Sequence, residues 1–147
     1  MTLNYNFSGK SALVTGGSKG IGFQLIETLA KCGCKVFSLS RTTDTIDSLI
    51  KDNPNLNIVA IKCDISKWDE LNNVAKSLPC VDYLVNNAGI AKLEEFGKIQ
   101  QEEIDMMFNT NIKAIINLSQ VKLFFKLMRK NFYININYIY YVSMLII

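Results

Sequence analysis

The feature that most constrains this chain is a regular alternation of strand-like and helix-like segments. Ser11-Ala12-Leu13-Val14-Thr15 is a short apolar run closed by glycines; Ile21, Leu25, Ile26 and Leu29 then share one helical face, and Gly33 supplies a stop. Residues 35–40 predict a second strand. Residues 45–51 predict a second helix, with Ile46, Leu49 and Ile50 on one side and Asn53-Pro54 as its break. Residues 57–62 predict a third strand, and Ser66 can cap a helix running to about Ser77, with Asp69 and Glu70 near its positive end. Pro79 breaks that helix, and residues 81–85 predict a fourth strand. Strands separated by helices of this length pair in parallel through right-handed crossovers. The expected fold class is α/β: an incomplete doubly wound, Rossmann-type parallel sheet of about four to five strands.

Beyond Gly89 a loop leads to a long helical stretch from about Gln101, whose inner face is expected to carry Ile104, Met107, Phe108, Asn111, Ile112 and Ile115. After Val121 the composition changes: there is no Gly after Gly97, no Ala after Ala114 and no acid after Asp105. The charge divides at the same point. Residues 1–121 hold 12 Lys/Arg against 13 Asp/Glu, whereas 122–147 hold Lys122, Lys126, Arg129 and Lys130 and no acid. The net charge of +3 therefore belongs to the tail, and the body lacks the basic face that nucleic-acid binding requires. The expected organisation is an α/β body, 1–121, and a divergent basic, apolar tail, 122–147.

A length of 147 residues fits one domain. With no histidine in the sequence, His-based triads and His-containing metal sites are excluded. Cys32, Cys34, Cys63 and Cys80 have neither the spacing for an easy disulfide nor partners for a zinc site, so reduced, mostly buried thiols and no metal are expected. The N-terminus lacks the basic and apolar regions of a signal peptide, which makes the cytoplasm the expected location.

Thr15-Gly16-Gly17-Ser18-Lys19-Gly20-Ile21-Gly22 lies where the first strand gives way to the first helix. Glycines there let the backbone turn sharply and approach a pyrophosphate, while the helix start presents free N–H groups and partial positive charge. An NAD site would place an acid at the end of the second strand to accept from the ribose. This chain has Ser40-Arg41-Thr42 there, and a guanidinium beside hydroxyls suits a 2′-phosphate, with Lys19 as a second cation. The expected cofactor is NADP(H).

On these residues the sequence resembles the short-chain dehydrogenase/reductase family. Thr15–Gly22 matches its Thr-Gly-x-x-x-Gly-x-Gly loop, Asn86-Asn87-Ala88-Gly89 matches its Asn-Asn-Ala-Gly segment, and Asp64 in Cys63-Asp64-Ile65 matches its adenine-contacting acid. Ser40-Arg41-Thr42, Asp47-Ser48-Leu49, residues 63–68 and residues 81–85 carry a closer likeness to the L-xylulose (dicarbonyl) reductase and tetrameric carbonyl reductase branch. The resemblance implies that Gly16, Ser18, Lys19, Gly20, Ile21 and Gly22 hold the pyrophosphate and adenosine side. It places Ser40, Arg41 and Thr42 on the 2′-phosphate, Asp64 and Ile65 on adenine, and Asn87, Ala88 and Gly89 on ribose. It further implies hydride transfer between a nicotinamide and a small carbonyl substrate, sugar or dicarbonyl, and assembly as a homo-oligomer through the helix at 101–126.

The family's catalytic tetrad is Asn, Ser, Tyr and Lys, and Asn111 matches its Asn. No Tyr precedes a Lys by four positions anywhere in the sequence. Residues 134–138 weakly echo a fifth strand, with Asn137, Tyr138 or Tyr140 at the Ser positions and Ser143 displaced. A Tyr without a neighbouring cation keeps a phenol pKa near ~10, so no turnover is expected from this chain alone. Three readings of the tail stand together. It is the product of truncation by readthrough into an A/T-rich intron; or a membrane anchor, opposed by Asn131, Asn135 and Asn137; or a residual fifth strand beside the fourth.

Overall fold

The structure, a computed structural model, describes residues 5–95, 97–129 and 141–143. Strands and helices alternate as β1 (Ser11–Thr15), α1 (Gly20–Lys31), β2 (Lys35–Ser40), α2 (Asp44–Asp52), β3 (Ile58–Lys62), α3 (Trp68–Ser77) and β4 (Tyr83–Asn86). There follow α4 (Gln101–Phe108), a π-helical turn (Asn109–Lys113), α5 (Ala114–Arg129) and β5 (Tyr141–Ser143). The sheet order is β3-β2-β1-β4-β5, with every neighbouring pair parallel. The chain steps from β1 outward to β3 and then returns to the other side of β1. The loops after β1 and β4 consequently diverge, and a crevice opens at the carboxyl ends of those strands.

Period-two alternation divides the core. Ala12 and Val14 of β1 and Val36 of β2 pack with Ile26 and Ala30 of α1 and Ile46 and Leu49 of α2. Leu13, Phe37 and Leu39 face the other way, onto Leu71 and Ala75 of α3 and Ala114 and Leu118 of α5.

Several local expectations are corrected. Ser66 does not cap α3: its hydroxyl turns back to donate to Asp64 Oδ1 at 2.7 Å, and the helix begins two residues later behind Lys67, which makes no side-chain cap. The fourth strand begins at Tyr83 instead of residue 81, although Val81 still enters the core. The inner face of α4 and α5 is also different. Thr110, Ala114, Leu118 and Lys122 are the buried row, while Ile104, Phe108, Ile112 and Ile116 are exposed. An i→i+5 turn holds one more residue than an α-turn. With such a turn at Asn109–Lys113, positions four apart stay aligned instead of drifting around the axis.

The weak fifth-strand echo at 134–138 lies outside the described residues; β5 runs beside β4 with Leu84 opposite Tyr141 and Asn86 opposite Ser143. That register sets Ser143 across from Asn86, at the end of β4.

α5 continues without interruption through Val121. Lys122 is buried, and its ammonium donates to the carbonyls of Ala75 (2.7 Å), Leu78 (3.1 Å) and Pro79 (3.3 Å). A cation here complements the negative end of the α3 dipole and partners carbonyls that the helix leaves unpaired. At the other end of α3, Asn117 Nδ2 donates to Trp68 O at 2.9 Å, so α5 is fastened to α3 twice.

Candidate cofactor-binding cleft

Pairing of Val14 with Val85 sets the ends of β1 and β4 side by side, and Thr15 fastens them. Its hydroxyl oxygen accepts the N–H groups of Asn87 (3.1 Å) and Ala88 (3.0 Å). Asn87 Nδ2 answers by donating to the carbonyls of Thr15 (2.9 Å) and Gly16 (3.3 Å). The two loops interlock at this point, and two glycines are required for it. Gly16 has φ +74°, and a Cβ there would sit 2.8 Å from Ala88 Cα. A Cβ at Gly22 would run into the Gly16 carbonyl oxygen and Asn87 Nδ2.

Lys19 precedes α1 in extended conformation without a side-chain cap, and the first turn of α1 contains no acid. By contrast α2, α3 and α4 begin with Asp44 and Asp47, Asp69 and Glu70, and Glu102 and Glu103. The positive end of α1 is therefore open to an external anion.

A cleft of about 630 Å³ occupies this crevice. It brings together Gly16, Ser18, Lys19, Gly20, Ile21, Gly22, Ser40, Arg41, Thr42, Asp64, Ile65, Asn87, Ala88 and Gly89, all the residues expected to hold the cofactor. Asn111 is not part of the lining. From the π-helical turn, its Oδ1 accepts from Ile90 N (2.9 Å) and its Nδ2 donates to Ile90 O (2.8 Å). Asn111 thus clamps the peptide that follows Gly89. Leu39, Cys63, Ser66, Ile90, Met106 and Thr110 also line the cleft and were missed from sequence. For Met106 and Thr110 the available signal was their four-residue spacing, misread because the frame of the helix was set by the wrong row.

The polar groups of the cleft are not equivalent. The Ser40 hydroxyl donates to Thr42 O at 2.7 Å, which shapes the loop and leaves the exposed Arg41 and Lys19 as the cations for an anion. Burial works to raise the Asp64 pKa. Two hydrogen bonds from Ser66 and the nearby charges of Lys67 and Arg41 outweigh it and hold the carboxyl below its usual range. Burial, with the charges of Glu70 and Asp64, pushes the Cys63 thiol up to about 11, so it is a neutral wall group. A glycine-cradled anion site, two exposed cations and an ionised carboxylate in one cleft fit a phosphorylated dinucleotide.

Residues 10–136 match the family model for short chain dehydrogenase. The chain belongs to the short-chain dehydrogenase family. It is 37% identical over 119 residues to L-xylulose reductase of Mesocricetus auratus, a match covering 81% of this chain and 48% of that protein. It is 34% identical over 119 residues to carbonyl reductase (NADPH) 2 of Sus scrofa, covering 81% and 48%. Among solved structures, a short chain dehydrogenase from Burkholderia cenocepacia in complex with NADP superposes with a TM-score of 0.73 at 29% identity, covering 80% of this chain and 51% of that one. The chain spans about half the length of these relatives.

Proposed function

We propose that this chain is the NADP(H)-binding half of a short-chain reductase, and that the 147-residue chain on its own binds the cofactor without turning over a substrate. The observation that carries the reading is the cleft itself, in which Arg41 and Lys19 stand beside the glycine turn and no acid ends β2. Gly16–Gly22 and the start of α1 would take the pyrophosphate, Arg41 and Lys19 the 2′-phosphate, Asp64 and Ile65 the adenine, and Asn87, Ala88 and Gly89 the ribose. When bound, the nicotinamide supplies the hydride. Asn111 positions the Ile90 peptide at the end of the cleft. The sequence has no Tyr-x-x-x-Lys pair to hold or move the proton that carbonyl reduction requires. The parent chemistry would be reduction of a small carbonyl, sugar or dicarbonyl, as the names of the relatives suggest. Four free thiols suit the reducing cytoplasm. The cofactor-binding role is assigned to residues 1–121, with Lys122 fastened into the same body.

Fluorescence titration should show saturable NADPH binding, with no NADPH consumed when a dicarbonyl such as diacetyl is added. Arg41→Ala should weaken NADPH by about 10- to 100-fold and leave NADH unchanged, because only the 2′-phosphate is lost as a partner. Equal affinity for NADH and NADPH in the starting chain would overturn the cofactor assignment, and turnover would overturn the incomplete-site reading.

A second reading, an interaction fragment that self-associates or pairs with longer subunits, is favoured by one observation. Ile104, Phe108 (52% exposed), Ile112 and Ile116 form an apolar row along the outer side of α4 and α5. Asp105 and Lys113 lie on a common flank of that row, where antiparallel pairing of two copies sets unlike charges together. Sedimentation velocity should give a dimer or larger species for the chain and a monomer for Phe108→Glu/Ile112→Glu. A monomeric starting chain would remove this reading.

A further inference from the structure

Met106 lines the cleft. It is the outermost member of the row Met106, Thr110, Ala114, Leu118, and exposure along that row falls from 46% at Met106 to 8% at Thr110 and 1% at Leu118. The inner part of the row packs on Ile65: Ala114 and Leu118 share its core cluster, and Ala88 packs against them. Continued outward by one turn each, the same row supplies buried Thr110 and exposed Met106 to the lining of the cleft that Asp64 and Ile65 also line.

A thioether in this position has two properties that aliphatic wall groups lack. It makes favourable sulfur contacts with the edge of an aromatic ring, and it is open to oxidation when exposed. The other sulfur in the cleft does not compete. Cys63 is fully buried, and its thiol remains protonated.

We propose that Met106 closes the adenine end of the cleft, and that a hydroperoxide switches cofactor binding off by oxidising its thioether. In that step the sulfur takes one oxygen atom from the peroxide, the O–O bond breaks, sulfur is oxidised by two electrons, and the reduced peroxide leaves as water from hydrogen peroxide or as the alcohol from an organic hydroperoxide. The product is a polar sulfoxide set against the purine, where an apolar, polarisable group stood. Bound cofactor covers the sulfur, so occupancy protects the switch. The inference rests on the NADP(H) reading above.

The test treats the full chain with hydrogen peroxide, with and without saturating NADPH. Met106 and Met107 sulfoxides are quantified by peptide mass spectrometry, and NADPH affinity is measured before and after. NADPH should slow oxidation of Met106 by about fivefold or more and leave Met107, which does not line the cleft, unaffected. Oxidation should weaken NADPH by about tenfold, and methionine sulfoxide reductases should restore it. The affinity of Met106→Leu, whatever its starting value, should not change on peroxide treatment. Equal Met106 oxidation rates with and without NADPH, in a chain that titrates NADPH, would overturn the inference alone. So would a peroxide-induced loss of affinity that persists in Met106→Leu. A chain that does not titrate NADPH at all would overturn both the cofactor reading and this inference.

Discussion

Gly22→Ala is expected to raise the dissociation constant for NADPH by more than about 100-fold, because the two loops that form the cleft could no longer meet. The added carbon would collide with the Gly16 carbonyl oxygen, a backbone atom that cannot swing aside. That carbonyl accepts from Asn87 Nδ2, and Asn87 is itself tied to Thr15 by its N–H and its side chain. Relief would have to come from moving α1 away from β1 or pulling Gly16 off Asn87, and either disorders the phosphate site. Overpacking of this kind costs about 1–3 kcal/mol of stability, so urea denaturation should accompany the fluorescence titration. Gly89→Ala provides the contrast for folding. A Cβ there meets only Asn111 Oδ1 at 3.6 Å, an ordinary contact, and that variant should unfold at the same urea concentration as the parent chain. Full NADPH affinity in Gly22→Ala would show that the glycine turn is not where the cofactor lies.

The second large effect is on stability and lies at Lys122. Burial holds its pKa down to about 8, against an ordinary value of 10.5, with the neighbouring Cys80 acting in the opposite sense. Because the folded value is depressed, the unfolded chain binds more protons between those two pH values. Below about 8 the cost of the buried charge is fully present; it is relieved as pH rises through the window to 10.5. Relative to Lys122→Met, the parent chain should therefore gain roughly 3 kcal/mol between pH 7 and pH 11. The comparison with the variant is essential. Cys63, raised from 9.0 to about 11, retains its proton in the folded chain and removes stability over an overlapping alkaline range. Subtracting Lys122→Met, measured by urea denaturation across pH, cancels that contribution. An unchanging difference between the two chains would mean that the ammonium is solvated and not held on the end of α3.

The cofactor half of the molecule is unusually legible because its signals are local. The glycine turn after Thr15, the helix start at Gly20 and the arginine after Ser40 are each marked by a few consecutive residues at a turn or strand end, which allows them few conformations. Asp64, two residues past the end of β3, was marked only by the likeness of Cys63-Asp64-Ile65 to the family's segment. Less was legible where one element meets another far along the chain. The Thr15 hydroxyl bonds the N–H groups of Asn87 and Ala88, over 70 positions away, and nothing in a threonine at a strand end announces that partner. Ser66 looked like a helix cap because its residue type favours that role. Asp64, two residues earlier, offered a carboxylate instead.

The sequence by itself determined the fold class, the parallel crossovers and the place of the glycine turn, and its residue types and family resemblance marked fourteen of the twenty residues that line the cleft. The first three follow from hydrophobic period, breakers and residue type over short spans. Only the tertiary structure decided which face of the 101–122 stretch is buried, because the π-helical turn shifts the frame by which periodicity is read. It also decided the place of Lys122. By composition that residue opens a foreign-looking basic tail, yet in space it closes the end of α3 with a buried charge. Charge and composition are properties of a position along the chain, whereas burial and hydrogen bonding depend on what the fold brings beside it.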